Sequence, residues 1–257
     1  MSQPATRICS RFDRQAAHYA QLADLQQAVA WRLAHRVARL PLPSGPCADL
    51  GAGSGLVGQA LAQHRCDATL LQLDGSPALL ARNPLAQPGL LWDLEQGLPP
   101  NLQHCALLTS SFTLQWLRHP ARTLQLWAQA MAPGGWLALA VPVAGSFPQW
   151  HEAAARARIR CTAQPLPSAQ ELITTASAHL QLPVVQELCF SRPYGSGGAS
   201  TAQQFLRRMR RLGAGSSTEA PLSTGQWRQL LAHWPASRLV SWRVLLLIGQ
   251  RPAHATP

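Results

Sequence analysis

The fold is decided by Asp49-Leu50-Gly51-Ala52-Gly53-Ser54-Gly55, in which a short apolar run ends at an acidic residue and passes into alternating glycines. Residues 47–50 predict a strand, and residues 56–63 predict a helix that begins directly after the last glycine. Glycine lets the backbone approach a ligand closely because it has no Cβ atom, and a helix N-terminus offers N–H groups. This stretch therefore predicts a ligand site at the end of the first strand.

Outward from this turn, short apolar runs alternate with helical stretches. We predict crossover helices over 56–63, 77–81 and 121–131, and strands over 47–50, 68–73, 89–92, 105–109, 136–141, 184–190 and 239–249. Strands that alternate with helices are typical of a doubly wound parallel sheet. We therefore predict an α/β, Rossmann-like fold with a seven-stranded, mostly parallel sheet, helices on both faces and an inserted helical cap.

The domain organisation follows from the same pattern. We predict one domain over 1–257, with two N-terminal helices in 12–40 and a cofactor-binding half in 47–142. Helices in 143–182 and 195–235 are candidates for a cap over the site. Ala132-Pro133-Gly134-Gly135 predicts a sharp turn before the fifth strand, because proline stops a helix and glycine permits positive φ. Residues 195–199 and 213–218 are predicted to be flexible loops, and 253–257 a frayed tail.

Acidic residues lie at the ends of three successive predicted strands. Asp49 ends the first strand, Asp74 comes at the end of the second, and Asp93 follows the third. Ligands in this architecture bind at the carboxyl ends of parallel strands, where a carboxylate about 20 residues after the glycine turn suits a ribose hydroxyl pair. The glycines alone leave a nicotinamide dinucleotide open as the ligand, because Gly53-x-Gly55-x-x-Gly58 also fits its fingerprint.

The composition narrows the possible functions less than the motifs do. The formal charge is +11, and all 22 basic residues are Arg, which is compatible with a nucleic-acid partner, an acidic protein partner or a bias of the coding sequence. An RNA-associated protein is thus one alternative, although no basic tail or stacking motif supports it.

No run approaches the roughly 18 apolar residues of a membrane span, so we expect a cytoplasmic protein that does not engage a membrane. The six cysteines show no metal-ligand spacing, and we predict no metal site. Cys47, Cys105 and Cys189 are expected to be buried in strands.

Several further segments carry a family resemblance. Phe12-Asp13-Arg14-Gln15-Ala16-Ala17-His18-Tyr19, the stretch 110–116 that ends in Gln115-Trp116, and the segment 206–214 that ends in Leu-Gly-Ala are the most specific of them. Together with the glycine turn, they resemble the malonyl-acyl-carrier-protein O-methyltransferases of biotin synthesis, from about Arg11 to Arg251. The resemblance implies a class I methyltransferase that binds S-adenosyl-L-methionine on the turn 49–55.

The resemblance also implies roles for individual residues. Tyr19 and Gln26 would close over the methionine end of the cofactor, and Gln115 and Trp116 would wall the acceptor pocket. The acceptor would be the free carboxylate of a malonyl thioester on acyl carrier protein, which is ionised near pH 7 and needs no general base. The full set of expected cofactor-binding residues is Gln26, Asp49, Gly51, Ala52, Gly53, Gly55, Asp74, Gly75, Asp93, Leu94 and Ser111.

Two features leave the acceptor open. Gln164 stands where relatives commonly carry an Arg, so Arg158 or Arg160 is a candidate substitute, and another small acid, a quinone precursor or a protein arginine is an alternative acceptor. A basic cluster lies on one predicted helix, where it indicates either a docking face for an acidic carrier protein or an ordinary solvated face. This cluster consists of Arg207, Arg208, Arg210 and Arg211.

Overall fold

The computed structural model describes residues 3–65, 69–85, 89–215 and 220–253, with side chains from Ile8 onward. Its strands are β1 Cys47–Leu50, β2 Leu71–Asp74, β3 Leu90–Leu91, β4 Cys105–Ser111, β5 Met131–Pro142, β6 Gln181–Pro193 and β7 Leu239–Gln250. They form one seven-stranded sheet in the order β3-β2-β1-β4-β5-β7-β6. Only the pairings of β7 with β5 and β6 are antiparallel.

Helices precede and connect these strands. They are α1 Gln3–Leu22, α2 Asp24–Val37, α3 Leu56–Ala62, α4 Pro77–Leu80, α5 Pro120–Gln129, α6 Pro148–Arg156, α7 Ala169–Ser177, α8 Gly198–Arg211 and α9 Thr224–Ala232. Two short 3-10 turns, Leu94–Gln96 and Leu114–Trp116, follow β3 and β4. Local chemistry sets several helix starts: Ser168 caps α7, and Ser223 forms a capping box with Gln226 at α9.

The sheet separates two hydrophobic cores. One core contains Leu33 of α2, Trp150 of α6 and Phe205 of α8, and the other contains Trp127 of α5 and Leu172 of α7. Helices therefore cover both faces, and the predicted Rossmann-like fold is confirmed. α7 departs from the expectation that 143–182 would form a cap, because its apolar side packs with α5 against the sheet.

Element boundaries differ from the sequence predictions at several points. α1 begins at Gln3 rather than near residue 12, and α8 begins at Gly198, inside the predicted loop 195–199. β5 takes in Met131 and the turn 132–135, which forms an irregularity opposite β4 with Gly134 at a φ of +76°. The predictions on Cys66, Ala68 and parts of 213–218 and 253–257 lie outside the described residues.

Of the three cysteines that were expected to be buried in strands, one is buried. Cys105 is buried, as expected, but Cys47 is half-buried and Cys189 is exposed because β6 is an edge strand. Within the described ranges, no helix is both long and apolar enough to cross a bilayer. The same residues contain no group of three or more His, Cys, Asp or Glu side chains positioned to hold a metal ion.

Candidate active site

The glycine turn joins β1 to α3 in a conformation that side chains would not tolerate. Gly51, Gly53 and Gly55 have φ angles of +74°, +53° and +82°. A Cβ atom on Gly51 would lie 2.1 Å from the Thr113 Oγ1, whereas one on Gly53 would have no closer neighbour than 3.7 Å. The space beside Gly53 is therefore open to a ligand, while Gly51 is required by the packing of the turn itself.

Gly55 has a steric role at the start of α3. It is the residue before α3, and a Cβ atom there would lie 2.2 Å from Oδ1 of the buried Asn83. Gly55 is not among the residues that line the cleft, and it lets the backbone enter α3 beside Asn83, so its expected cofactor contact stays a prediction.

The three strand-end acids surround one cleft, whose open space is about 940 Å³. Asp74 accepts hydrogen bonds from the backbone nitrogens of Gly53 and Ser76, both at 2.7 Å. Asp49 accepts one from Thr109 Oγ1 at 2.9 Å, while its other carboxylate oxygen is buried and unpartnered. Asp93 likewise accepts from the Glu95 backbone at 3.1 Å and keeps one buried oxygen unpartnered.

The cleft is acidic, although the chain as a whole is basic. The net charge is +11, yet Asp49, Asp74, Asp93 and Glu95 line the cleft, and no Arg is among its described lining residues. Burial raises the pKa of Asp49 to about 7, against the hydrogen bond from Thr109 that lowers it. Burial also raises the pKa of Asp74 to about 6, despite the hydrogen bonds from Ser76 and Gly53. A cationic ligand in the cleft would therefore help to ionise these carboxyl groups.

Nearly all the expected cofactor-binding residues line this cleft. Besides the three acids, they are Gln26, Gly51, Ala52, Gly53, Gly75, Leu94 and Ser111. Ser111 also has a buried hydroxyl without a hydrogen-bond partner.

Sequence reasoning missed the part of α1 that covers the cleft. Ile8 and Cys9 line it because α1 begins nine residues before the predicted start, and neither residue type carried a signal. Burial is the largest factor that raises the pKa of the Cys9 thiol to about 12, followed by nearby carboxylates, so the thiol stays protonated. Asp13 holds α1 in place by accepting hydrogen bonds from Ser76 Oγ at 2.5 Å and from the Ala78 backbone at 3.2 Å.

A second cavity of about 1220 Å³ adjoins the first. The two share Phe12, Tyr19, Gln26, Phe112 and Trp116, which we call the junction. The Phe12 ring packs edge-to-face on the rings of Tyr19 and Trp116, with centroids 6.1 Å and 5.7 Å apart.

Each expected catalytic residue has a definite place around the second cavity. Tyr19 and Trp116 belong to the junction, and burial followed by the charge of Asp74 raises the pKa of Tyr19 well above its usual value. Gln115 lines only the second cavity, and its amide nitrogen donates to the Phe112 carbonyl at 2.7 Å.

The basic residues divide between the outer face of α8 and the second cavity. Arg207, Arg210 and Arg211 are exposed, whereas Arg208 lines the cavity and pairs with Asp24 at 2.6 Å. Gln164 also lines the cavity.

The cations of the cavity are not the expected substitutes. Neither Arg158 nor Arg160 is among the lining residues, and Arg160 instead donates to the Ala220 carbonyl. Arg192 and Arg208 supply the positive charge, and their positions on β6 and α8 could not be related to Gln164 from the sequence.

Comparisons with known proteins agree with this geometry. A family described as "Methyltransferase domain" matches residues 21–181. The chain is 30% identical to malonyl-[acyl-carrier protein] O-methyltransferase of Alcanivorax borkumensis, covering 95% of this chain and 86% of the relative. It is 31% identical to the biotin biosynthesis bifunctional protein of Bordetella avium, over 89% of this chain but 48% of that protein, so it spans about half of that relative's length.

Other matches are more partial or more distant. Trans-aconitate 2-methyltransferase of Methylobacterium nodulans is 35% identical over 51% of this chain and 50% of the relative. Among solved structures, a putative methyltransferase from Bacillus halodurans superposes with a TM-score of 0.57 at 13% identity, covering 86% of this chain and 98% of that one. At that identity, the likeness establishes the fold alone.

Proposed function

The chain belongs to the class I methyltransferases that use S-adenosyl-L-methionine and resemble malonyl-[acyl-carrier protein] O-methyltransferase, and from this premise we propose its acceptor. The acceptor is the free carboxylate of a malonyl thioester on acyl carrier protein, which the enzyme converts to a methyl ester at the start of pimeloyl and biotin synthesis. The observation that carries the proposal is the meeting of an acid-lined cleft with a larger aromatic cavity at one junction.

The residues of the cleft fit the cofactor. Asp49 and Asp93 each have a buried oxygen without a partner, which suits the amino and hydroxyl donors of an adenosyl amino acid. Gly53 leaves open space where a side chain would otherwise stand. We assign Asp74 to the ribose, because it is the acid at the end of β2 about 20 residues after the glycine turn. The backbone nitrogens of Gly53 and Ser76 donate to its carboxylate and hold it in position.

The reaction depends on the alignment of the two reactants and requires no proton transfer. When bound, S-adenosyl-L-methionine supplies a methyl group on a positively charged sulfur. A carboxylate oxygen of the acceptor bonds to that methyl carbon as the carbon–sulfur bond breaks, and no proton has to move. The junction residues Phe12, Phe112 and Trp116 exclude water from this point, and Tyr19 keeps its phenolic proton because its pKa is raised.

The carrier protein would dock on the outer face of α8. Arg207, Arg210 and Arg211 are exposed there, while Arg208, Met209 and Leu212 of the same segment line the second cavity. An acidic carrier attracted to this face would be placed beside the cavity that receives its acyl group.

Transfer of a labelled methyl group tests the acceptor. The purified protein is offered malonyl-acyl carrier protein, a malonyl thioester of a small thiol and trans-aconitate under the same conditions. We expect the malonyl carrier to be the preferred acceptor by kcat/KM and its product to be a methyl ester. Preferential methylation of trans-aconitate would overturn the proposal and would assign the chain to the small-acid methyltransferases.

Charge reversal on α8 tests docking. A triple Arg→Glu variant at 207, 210 and 211 is expected to raise KM for the carrier-bound substrate about tenfold or more, while KM for the small thioester stays unchanged. A matched triple variant reverses exposed arginines on other helices and turns, with the same change in net charge: Arg82, Arg122 and Arg156. Equal effects of the α8 variant on both substrates would contradict docking there.

A further inference from the structure

Two arginines in the second cavity share a single carboxylate. Arg192, near the end of β6, donates to Oδ2 of Asp24, and Arg208 of α8 donates to Oδ1 at 2.6 Å. Arg208 also donates to the Leu22 carbonyl. These are the only charged groups among the described residues that line the cavity, so its wall carries an excess of one positive charge.

We propose that Arg192 is the receptor for the carboxylate of the methyl acceptor, and that Asp24 occupies this receptor until the acceptor displaces it. The inference rests on the proposed function for the identity of the acceptor. It adds the group that recognises the acid and orients one carboxylate oxygen while the other attacks.

The two arginines are held differently, and this singles out Arg192. The Arg208 side chain is 19% exposed and is anchored to a backbone carbonyl, so it is part of the cavity wall. The Arg192 side chain is 37% exposed, and besides Asp24 it contacts the face of the Tyr194 ring, 5.8 Å from its centroid. An aromatic face holds a guanidinium by cation–π attraction and leaves its hydrogen-bond donors available.

The bond between Arg192 and Asp24 is suited to exchange. The Asp24 side chain is 49% exposed, and ion pairs that are this accessible to water contribute little stability. A substrate carboxylate that enters the aromatic cavity is better shielded from water, and it matches the planar fork of a guanidinium with two parallel hydrogen bonds. Asp24 also lies between Tyr19 and Gln26 in the sequence, and these two junction residues line the same cavity as Asp24 and Arg192.

Gln164 and Gln115, which also line the cavity, do not offer this chemistry. Gln164 is neutral, and the donor nitrogen of Gln115 is already bonded to the Phe112 carbonyl. Exchange at Arg192 also explains how the product leaves. Methylation removes the negative charge of the acceptor, so the ester loses its attraction to Arg192, and Asp24 can return.

Calorimetry on the protein saturated with S-adenosylhomocysteine tests the assignment without turnover. The probes are a thioether analogue of malonyl-pantetheine, the methyl ester of that analogue and trans-aconitate. We expect the wild type to bind the malonyl acid at least about tenfold more tightly than the ester. Arg192→Gln should abolish that preference by weakening only the acid, and Asp24→Asn should tighten the acid severalfold. Arg156→Gln, an exposed arginine outside both cavities, is the matched control and should keep the preference.

The outcomes separate the two proposals. If Arg192→Gln retains the preference for the malonyl acid, the receptor assignment is wrong and the malonyl acceptor stands. If trans-aconitate binds in an Arg192-dependent manner and the malonyl probe does not bind, the receptor stands and the proposed acceptor falls. If the wild type binds no carboxylate probe, both are refuted.

Discussion

Replacing Asp74 tests the cofactor site most directly. Its carboxylate faces the Gly53 loop at the end of β2, and we expect it to accept the two ribose hydroxyls of the cofactor. A hydrogen bond to a charged group is worth about 1.5–3 kcal/mol, so the loss of two in Asp74→Ala weakens cofactor binding by about a hundredfold or more. Asp74→Asn keeps the size and one acceptor, and is expected to weaken binding by roughly ten- to a hundredfold.

The raised pKa of Asp74 gives an independent check in the unaltered protein. Because burial raises this pKa to about 6, most of the group is protonated at pH 5 and ionised at pH 8 in the cofactor-free protein. If the bound state requires the ionised form, the dissociation constant rises as the pH falls through 6, about tenfold by pH 5 for this one group. Asp74→Asn should flatten that part of the pH dependence.

Calorimetry from pH 5 to pH 8 measures both effects, with thermal unfolding to show that each variant is folded. Glu152→Gln, which removes an exposed carboxylate on α6, is the matched control and should bind the cofactor like the wild type. Affinity of Asp74→Asn within about threefold of the wild type at pH 8 would remove Asp74 from the ribose site.

The remaining predictions concern the glycine turn and Asp49. Gly53→Ala should cost about 1–2 kcal/mol of stability for its positive φ but should nearly abolish cofactor binding, since the new methyl group projects into the cleft. Gly55→Ala should lower the melting temperature more than Gly53→Ala does, because its methyl group would lie 2.2 Å from Asn83. Equal melting temperatures for the two variants would contradict the steric role of Gly55. The pKa of Asp49 is raised to about 7, above the usual value of 3.8, so this group favours the folded state at low pH, and that contribution is lost as the pH rises from about 4 to 7. Asp49→Asn should therefore gain stability relative to the wild type by about 2–3 kcal/mol more at pH 8 than at pH 5 in urea unfolding of the cofactor-free protein, and a pH-independent difference would contradict the raised pKa.

Features that depend on neighbouring residues were predictable from the sequence. The glycines after β1 and the acids at the carboxyl ends of β1, β2 and β3 each lie beside a strand whose direction the alternating pattern already indicates, so their meeting at one sheet edge follows from topology. Gly55 shows the limit of this reasoning, because only the folded chain brings Asn83 against it and shows that its role is steric.

Contacts between distant parts of the chain were not predictable in the same way. Asp24 and Arg192 are 168 residues apart, and nothing in either local sequence marks them as a pair. The arginines that drew attention instead, at 207–211, were conspicuous because they are adjacent, yet only Arg208 turns toward the cavity. Long-range pairs of this kind depend on the packing of α2, α8 and β6, which periodicity does not reveal.

The distribution of charge around the junction suits the reaction that we propose. Acidic side chains line the cleft for the cationic cofactor, arginines line the cavity for an anionic acceptor, and the aromatic rings of Phe12, Phe112 and Trp116 lie between them. A positively charged sulfur and a carboxylate become neutral as the methyl group moves, so charge is already diminishing in the transition state. An apolar junction stabilises such a transition state relative to separated ions, which water would solvate more strongly. The protein therefore uses charged residues in the walls of its two cavities to collect the reactants, while the junction residues that the cavities share are uncharged.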